Sequence, residues 1–165
     1  MAAIVKQTAK ILFAAYLLTL AWLVLFKFSG DIPAVIAHFQ TRSLNLVPFA
    51  QTSLHEMLYN LIAFIPFGLL LGVNAKQLGM WRSLAFVCAF SAAAEAMQYI
   101  LAIGATDITD FITNTLGGLV GLAIHQVAKK YMREETLDRV IVVACLLVLI
   151  IFVALRTFVF KVRYQ

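Results

Sequence analysis

The chain has 165 residues and a net charge of +5; 63% of its residues are apolar and 13% are charged. Soluble domains hold about 45–50% apolar and about 25% charged residues, so one soluble core of this size cannot absorb the excess, and the bilayer is the natural solvent. The basic residues are scattered among apolar segments, which reads as orientation signals and lipid-headgroup contacts and argues against a nucleic-acid surface.

Residues 11–26 carry no charge and lie between Lys10 and Lys27, both able to snorkel, so a first span of full membrane length is expected. No small-x-small cleavage site follows Phe26 closely, so this segment reads as a retained anchor rather than a signal peptide. The connection 28–56 is the longest. Gly30, Asp31 and Pro33 break the first helix, and Ile32–Phe39 fits a short helix at the membrane interface. Asn45-Leu46-Val47-Pro48-Phe49 cannot continue a helix, because Pro48 disfavours helical backbone at Val47. Ser53 and Glu56 then stand at capping-box spacing before the next apolar run.

The second span, 57–75, holds Asn60 near its start, Pro66 in its middle, and Gly68 and Gly72 four apart. Pro66 frees a carbonyl that a neighbouring helix must satisfy. The glycine pair is a close-packing pattern. The third span, 83–103, carries a small and polar stripe of Cys88, Ser91, Ala92, Glu95 and Gln98, with Phe86, Phe90 and Met97 opposite and facing lipid in part. The fourth, 108–128, opens on TDITDFITNTLGGLVG. Asp107, Asp110, Asn114, Gly117 and Gly121 follow steps of three or four and share one side of a helix. Capping and the helix dipole account for the two aspartates, but not for Asn114. Lys129 to Arg139 reads as a charged connector, and 140–155 as a plain fifth span. The expected fold is therefore an all-α membrane protein: a five-helix transmembrane bundle forming one domain over 1–165, with short loops and one longer outer connection.

With the N-terminus inside, Lys6, Lys10, Lys76, Arg82, Lys129, Lys130, Arg133 and Arg139 are cytoplasmic, and Lys27, Arg42, Arg156, Lys161 and Arg163 are outside. Eight against five favours this orientation, with the basic tail as the discordant piece. A fifth segment that fails to cross would remove the discordance. Orientation then brings polar groups of three spans to one outer level: Glu56 and Asn60, Glu95 and Gln98, and Asp107, Asp110 and Asn114. Glu95 lies roughly 12 Å below Ile103 at helical rise. Ionisable groups at such depth are costly, and they usually pair or face water. A structural clasp between helices and a ligand-facing pocket both fit these residues. Cys88 and Cys145 lie inside apolar runs and read as packing residues rather than a disulfide. His38, His55 and His125 are too dispersed for metal ligation, and no cofactor is expected.

The order Asn45-Leu46-Val47-Pro48-Phe49, Glu56-xxx-Asn60-xxxxx-Pro66-Phe67-Gly68, Glu95-xx-Gln98 and Asp107-xx-Asp110-xxx-Asn114-xx-Gly117 resembles the VanZ-like membrane proteins over about 44–127. The resemblance implies a multi-pass protein of the bacterial inner membrane, in a family linked to low-level resistance to the glycopeptide teicoplanin. It favours a non-catalytic binding or shielding role at the outer leaflet, toward a cell-wall precursor, a lipid or a lipoglycopeptide. Two other classes stay open. One is a small intramembrane enzyme using Glu95 and Asp110 as acid and base. The other is a proton- or cation-coupled carrier built on Glu95, against which the absence of inverted repeats counts unless the chain oligomerises or joins a partner membrane subunit.

Overall fold

A computed structural model describes residues 2–26, 43–50, 52–103 and 105–163. The expected break at Gly30–Pro33 and interfacial helix at Ile32–Phe39 lie outside these residues. Among the described residues there are five helices: α1 (Ala2–Leu25), α2 (Leu54–Asn74), α3 (Met80–Leu101), α4 (Ile108–Ala128) and α5 (Glu134–Arg163). All five are long and apolar enough to cross a membrane. The protein is a multi-pass, all-α transmembrane bundle.

Local chemistry sets where the helices begin and end. At α2 the capping box forms: Glu56 N–H donates to Ser53 Oγ at 3.2 Å, and Ser53 N–H donates to Glu56 Oε2 at 3.2 Å. Asn74 closes the same helix by donating back to the Leu70 carbonyl at 2.8 Å. α3 stops at Leu101, two residues short of the expected Ile103, because Ala102 turns left-handed (φ 52°) and Ile103 N–H reaches back to Gln98 O at 3.2 Å. The segment Lys129–Arg139, expected as a connector, is split. α5 begins inside it at Glu134, where two glutamates occupy the first turn and complement the helix dipole.

α2 is the central element; it touches each of the other four helices. Its partner in the most extensive contact is α4, where glycines on both sides bring the backbones together. A Cβ added at Gly68 would collide with the Gly118 carbonyl, at Gly117 with the Leu61 carbonyl, and at Gly121 with the Ile65 carbonyl. Gly72 leaves room for the ring of His125, and Gly118 for Val87 of α3. α2 runs helical through Pro66, whose missing N–H leaves the Ile62 carbonyl without its usual donor. One residue along, Tyr16 of α1 donates its hydroxyl to the Ala63 carbonyl at 2.7 Å, tying the two helices at this level.

The apolar core follows helical spacing on α1 (Leu12, Tyr16, Leu20) and gathers Phe64 and Phe67 of α2, Val87 of α3, Leu122 of α4, and Ile141 and Cys145 of α5. Phe90 packs into it, with its ring 5.2 Å from that of Phe67 and 6.2 Å from that of Phe64. The expectation that Phe90 joins a lipid-facing side is thus corrected. The buried stripe of α3 runs through Ser83, Val87, Ser91, Ala94, Glu95 and Gln98, and Ala92 is turned outward. At the end of the bundle where α2 stops and α5 starts, Lys76 is clamped by Glu134, at 2.6 Å, and by Asp138.

One feature has no counterpart in the helical reading. Ser43–Asn45 (β1) and Ala105–Asp107 (β2) pair as short parallel strands, with Asn45 opposite Asp107. Three-residue strands are too short to show an alternating pattern, and their partners are about sixty residues apart. Only the folded bundle brings them together.

Candidate functional site

The strand pair lies where α3 ends and α2 and α4 begin, and the polar side chains of these elements meet there. Asp107 is the junction. Its Oδ1 accepts from Thr109 N–H at 2.8 Å, which caps α4. Its Oδ2 accepts from Asn45 Nδ2 at 3.0 Å and from Thr52 Oγ1 at 2.7 Å. Its own N–H donates to Glu95 Oε2 at 2.9 Å. One carboxylate therefore joins the β1 turn, the approach to α2 and the start of α4, while its backbone joins α3. Burial acts to raise the pKa of Asp107, but the hydrogen bonds from Thr52, Thr109 and Asn45 outweigh it and hold the carboxyl below its ordinary value.

The remaining contacts run down α4 by helical turns. Asp110 accepts from Asn60 Nδ2 of α2 at 2.8 Å. Asn114 donates from Nδ2 to Ser91 Oγ of α3 at 3.1 Å. Thr113 folds its hydroxyl back to the Thr109 carbonyl at 2.9 Å. Glu95 also anchors the β2 segment through its carbonyl, which accepts from Thr106 Oγ1 at 3.1 Å.

Of the residues singled out in the sequence, Asn60, Glu95, Asp107, Asp110 and Asn114 are all buried and fall along this one line. Gln98 is buried too but faces the first helix, donating to the Val24 carbonyl of α1 at 2.9 Å. Glu56 stands apart: it is exposed, and its carboxylate serves the capping box of its own helix. Asn45, Thr52, Thr109 and Ser91 belong to the line although sequence reasoning did not count them as site residues. Asn45 and Thr52 flank the Pro48 turn, and a polar residue on each side of a proline turn is the available signal. Thr109 had none, since its roles depend on the β1 turn arriving overhead.

Two buried acceptors, Asn114 Oδ1 and Gln98 Oε1, have no hydrogen-bond partner among the described residues. Buried polar atoms are seldom left so. Both side chains are fully enclosed, Asn114 between α3 and α4 and Gln98 against α1.

The VanZ/LLP1 family profile matches residues 13–129. Protein VanZ from Enterococcus faecium is 50% identical over 153 residues, covering 92% of this chain and 94% of that protein. The chain belongs to the VanZ/LLP1 family. No solved structure matches it. The VanZ/LLP1 match takes in the whole polar line from Asn45 to Asn114 and stops at the end of α4, so α5 lies beyond it.

Proposed function

We propose that this VanZ-family protein acts without catalysis at the outer face of the bacterial inner membrane. There it binds, or shields from a lipoglycopeptide such as teicoplanin, a lipid or lipid-linked cell-wall precursor. The observation that carries this reading is the polar line itself. Glu95, Asp107 and Asp110 are drawn from two helices and a strand to one end of an otherwise apolar bundle. Helix pairing alone needs fewer groups: contacts of this type in membranes are each worth about 0.6 kcal/mol. A lipid headgroup would meet the bundle at the Asp107 end, and its tail would lie against the apolar faces of the helices. Teicoplanin carries a lipid tail of its own and acts at that surface, which fits the family's link to resistance.

The test separates charge from shape. In Glu95→Gln the amide oxygen still accepts from Asp107 N–H, and in Asp110→Asn the side-chain oxygen still accepts from Asn60. Both variants should reach the membrane in normal amount, and both should lose the teicoplanin phenotype, or whichever envelope phenotype deletion of the gene produces. Full activity of both at normal abundance would return these residues to a structural clasp.

A further inference from the structure

The segment from β1 to the start of α2 shows two opposite sides. Its apolar side chains point away from the protein: Leu44 is 55% exposed, Leu46 66%, Val47 62% and Phe49 57%. Its polar groups point the other way. Val47 N–H donates to Asn45 Oδ1 at 3.1 Å, Phe49 N–H to Thr109 Oγ1 at 2.9 Å, and Ala50 N–H to the Val47 carbonyl at 3.4 Å. Pro48 has no N–H to satisfy. Phe49 holds a left-handed backbone (φ 62°), uncommon for a bulky residue, and this conformation coincides with the inward turn of its N–H and the outward turn of its ring.

We infer that residues 44–49 form a re-entrant cap whose apolar tips lie among the acyl chains of the leaflet at the Asp107 end of the bundle. Irregular backbone enters hydrocarbon only where the protein itself satisfies its polar groups. The bonds to Asn45, Thr109 and Val47 take up the N–H groups of Val47, Phe49 and Ala50. The occupant of the outward face is lipid rather than another protein surface, because the face continues directly into the exposed side of a membrane-spanning helix: Leu54, Leu58 and Ile62 of α2 are exposed as well. Asn45–Asp107 and Phe49–Thr109 are then the two pegs that hold the cap at depth. This inference stands on the segment's geometry and does not depend on which ligand the polar line receives.

The experiment uses the full chain in phosphatidylcholine vesicles, in a Cys88→Ala/Cys145→Ala background. Leu46→Cys and Val47→Cys are labelled singly with the environment-sensitive fluorophore NBD, and Arg133→Cys, in the loop before α5, serves as the water-exposed control. Insertion gives blue-shifted emission at 46 and 47 and loss of that emission with nitroxide-labelled acyl chains, while iodide in the buffer has little effect. Water-like emission quenched by iodide would overturn the cap. So would blue-shifted emission that lipid nitroxides leave unchanged, since it would place the face against protein or a second copy of the chain. The two labelled sites report separately, and gel filtration of each labelled variant establishes that it is folded.

Discussion

Asp107 shows how much one side chain can tie together. It caps α4, fixes the β1 turn through Asn45, holds the approach to α2 through Thr52, and gives its N–H to Glu95. Because its folded pKa lies below the ordinary carboxylate value of about 3.9, its ionised form contributes stability that is fully present above that value and is lost as pH falls through the folded pKa. Asp107→Asn keeps an acceptor for the cap but loses charge-assisted bonds, and should destabilise the neutral-pH protein by about 1–2 kcal/mol. Thermal unfolding in detergent should show the gap between parent and variant at full size at about pH 5 and above, and shrinking below about pH 4. A gap that is constant across this range would mean that the ionised carboxylate adds nothing over an amide.

Among the elements, the α2–α4 pair decides the architecture. With lipid outside, helices gain no hydrophobic drive toward one another and rely on close backbone approach. Gly68 on one side and Gly117 and Gly121 on the other provide it, with carbonyl oxygens standing where a Cβ would be, while Gly72 makes room for the His125 ring. Even the smallest substitution should therefore be felt. Gly117→Ala or Gly121→Ala is expected to cost about 1–3 kcal/mol, as overpacking does in well-filled cores. Gly79→Ala is the control: nothing lies within 4 Å of its added Cβ, and the change should stay within about 0.5 kcal/mol. Detergent-resistant folded fraction on heating is the readout, and equal behaviour of all three variants would remove the glycine seam from the account.

For the whole molecule, the two ends of the bundle differ in kind. One carries the buried polar line and the short strand pair. The other carries the Lys76 clamp on Glu134 and Asp138 and, at its edges, the basic residues Lys6, Lys10 and Arg139 around a cavity of about 670 Å³ between α1, α2 and α5. The positive-inside bias predicts that the second end is cytoplasmic. Single cysteines in the Cys88→Ala/Cys145→Ala background test this with a membrane-impermeant thiol reagent on intact cells. Ser43→Cys, beside the Asp107 end, should label from outside, whereas Gln77→Cys and Arg133→Cys should label only after lysis. The reverse pattern would place the polar line at the cytoplasmic face and remove the outer-leaflet function.

The five apolar spans, the approximate limits of α2 and α4 and the membrane as solvent were determined by the sequence alone, because runs of about twenty apolar residues have no other stable fate and Ser53–Glu56 and Asp107 carry their own capping chemistry. That Asn60, Glu95, Asp110 and Asn114 share one region also followed from helical spacing and alternating span direction. Tertiary structure decided the rest. The partner of each polar group, the descent of the Pro48 turn onto Thr109, the pairing of Ser43–Asn45 with Ala105–Asp107, the diversion of Gln98 to α1 and the inward turn of Phe90 all depend on which helix face meets which. A single chain's pattern does not contain that information. Apolar helices in lipid offer several faces of nearly equal hydrophobicity, and backbone clearance at glycines and a few buried hydrogen bonds select among them.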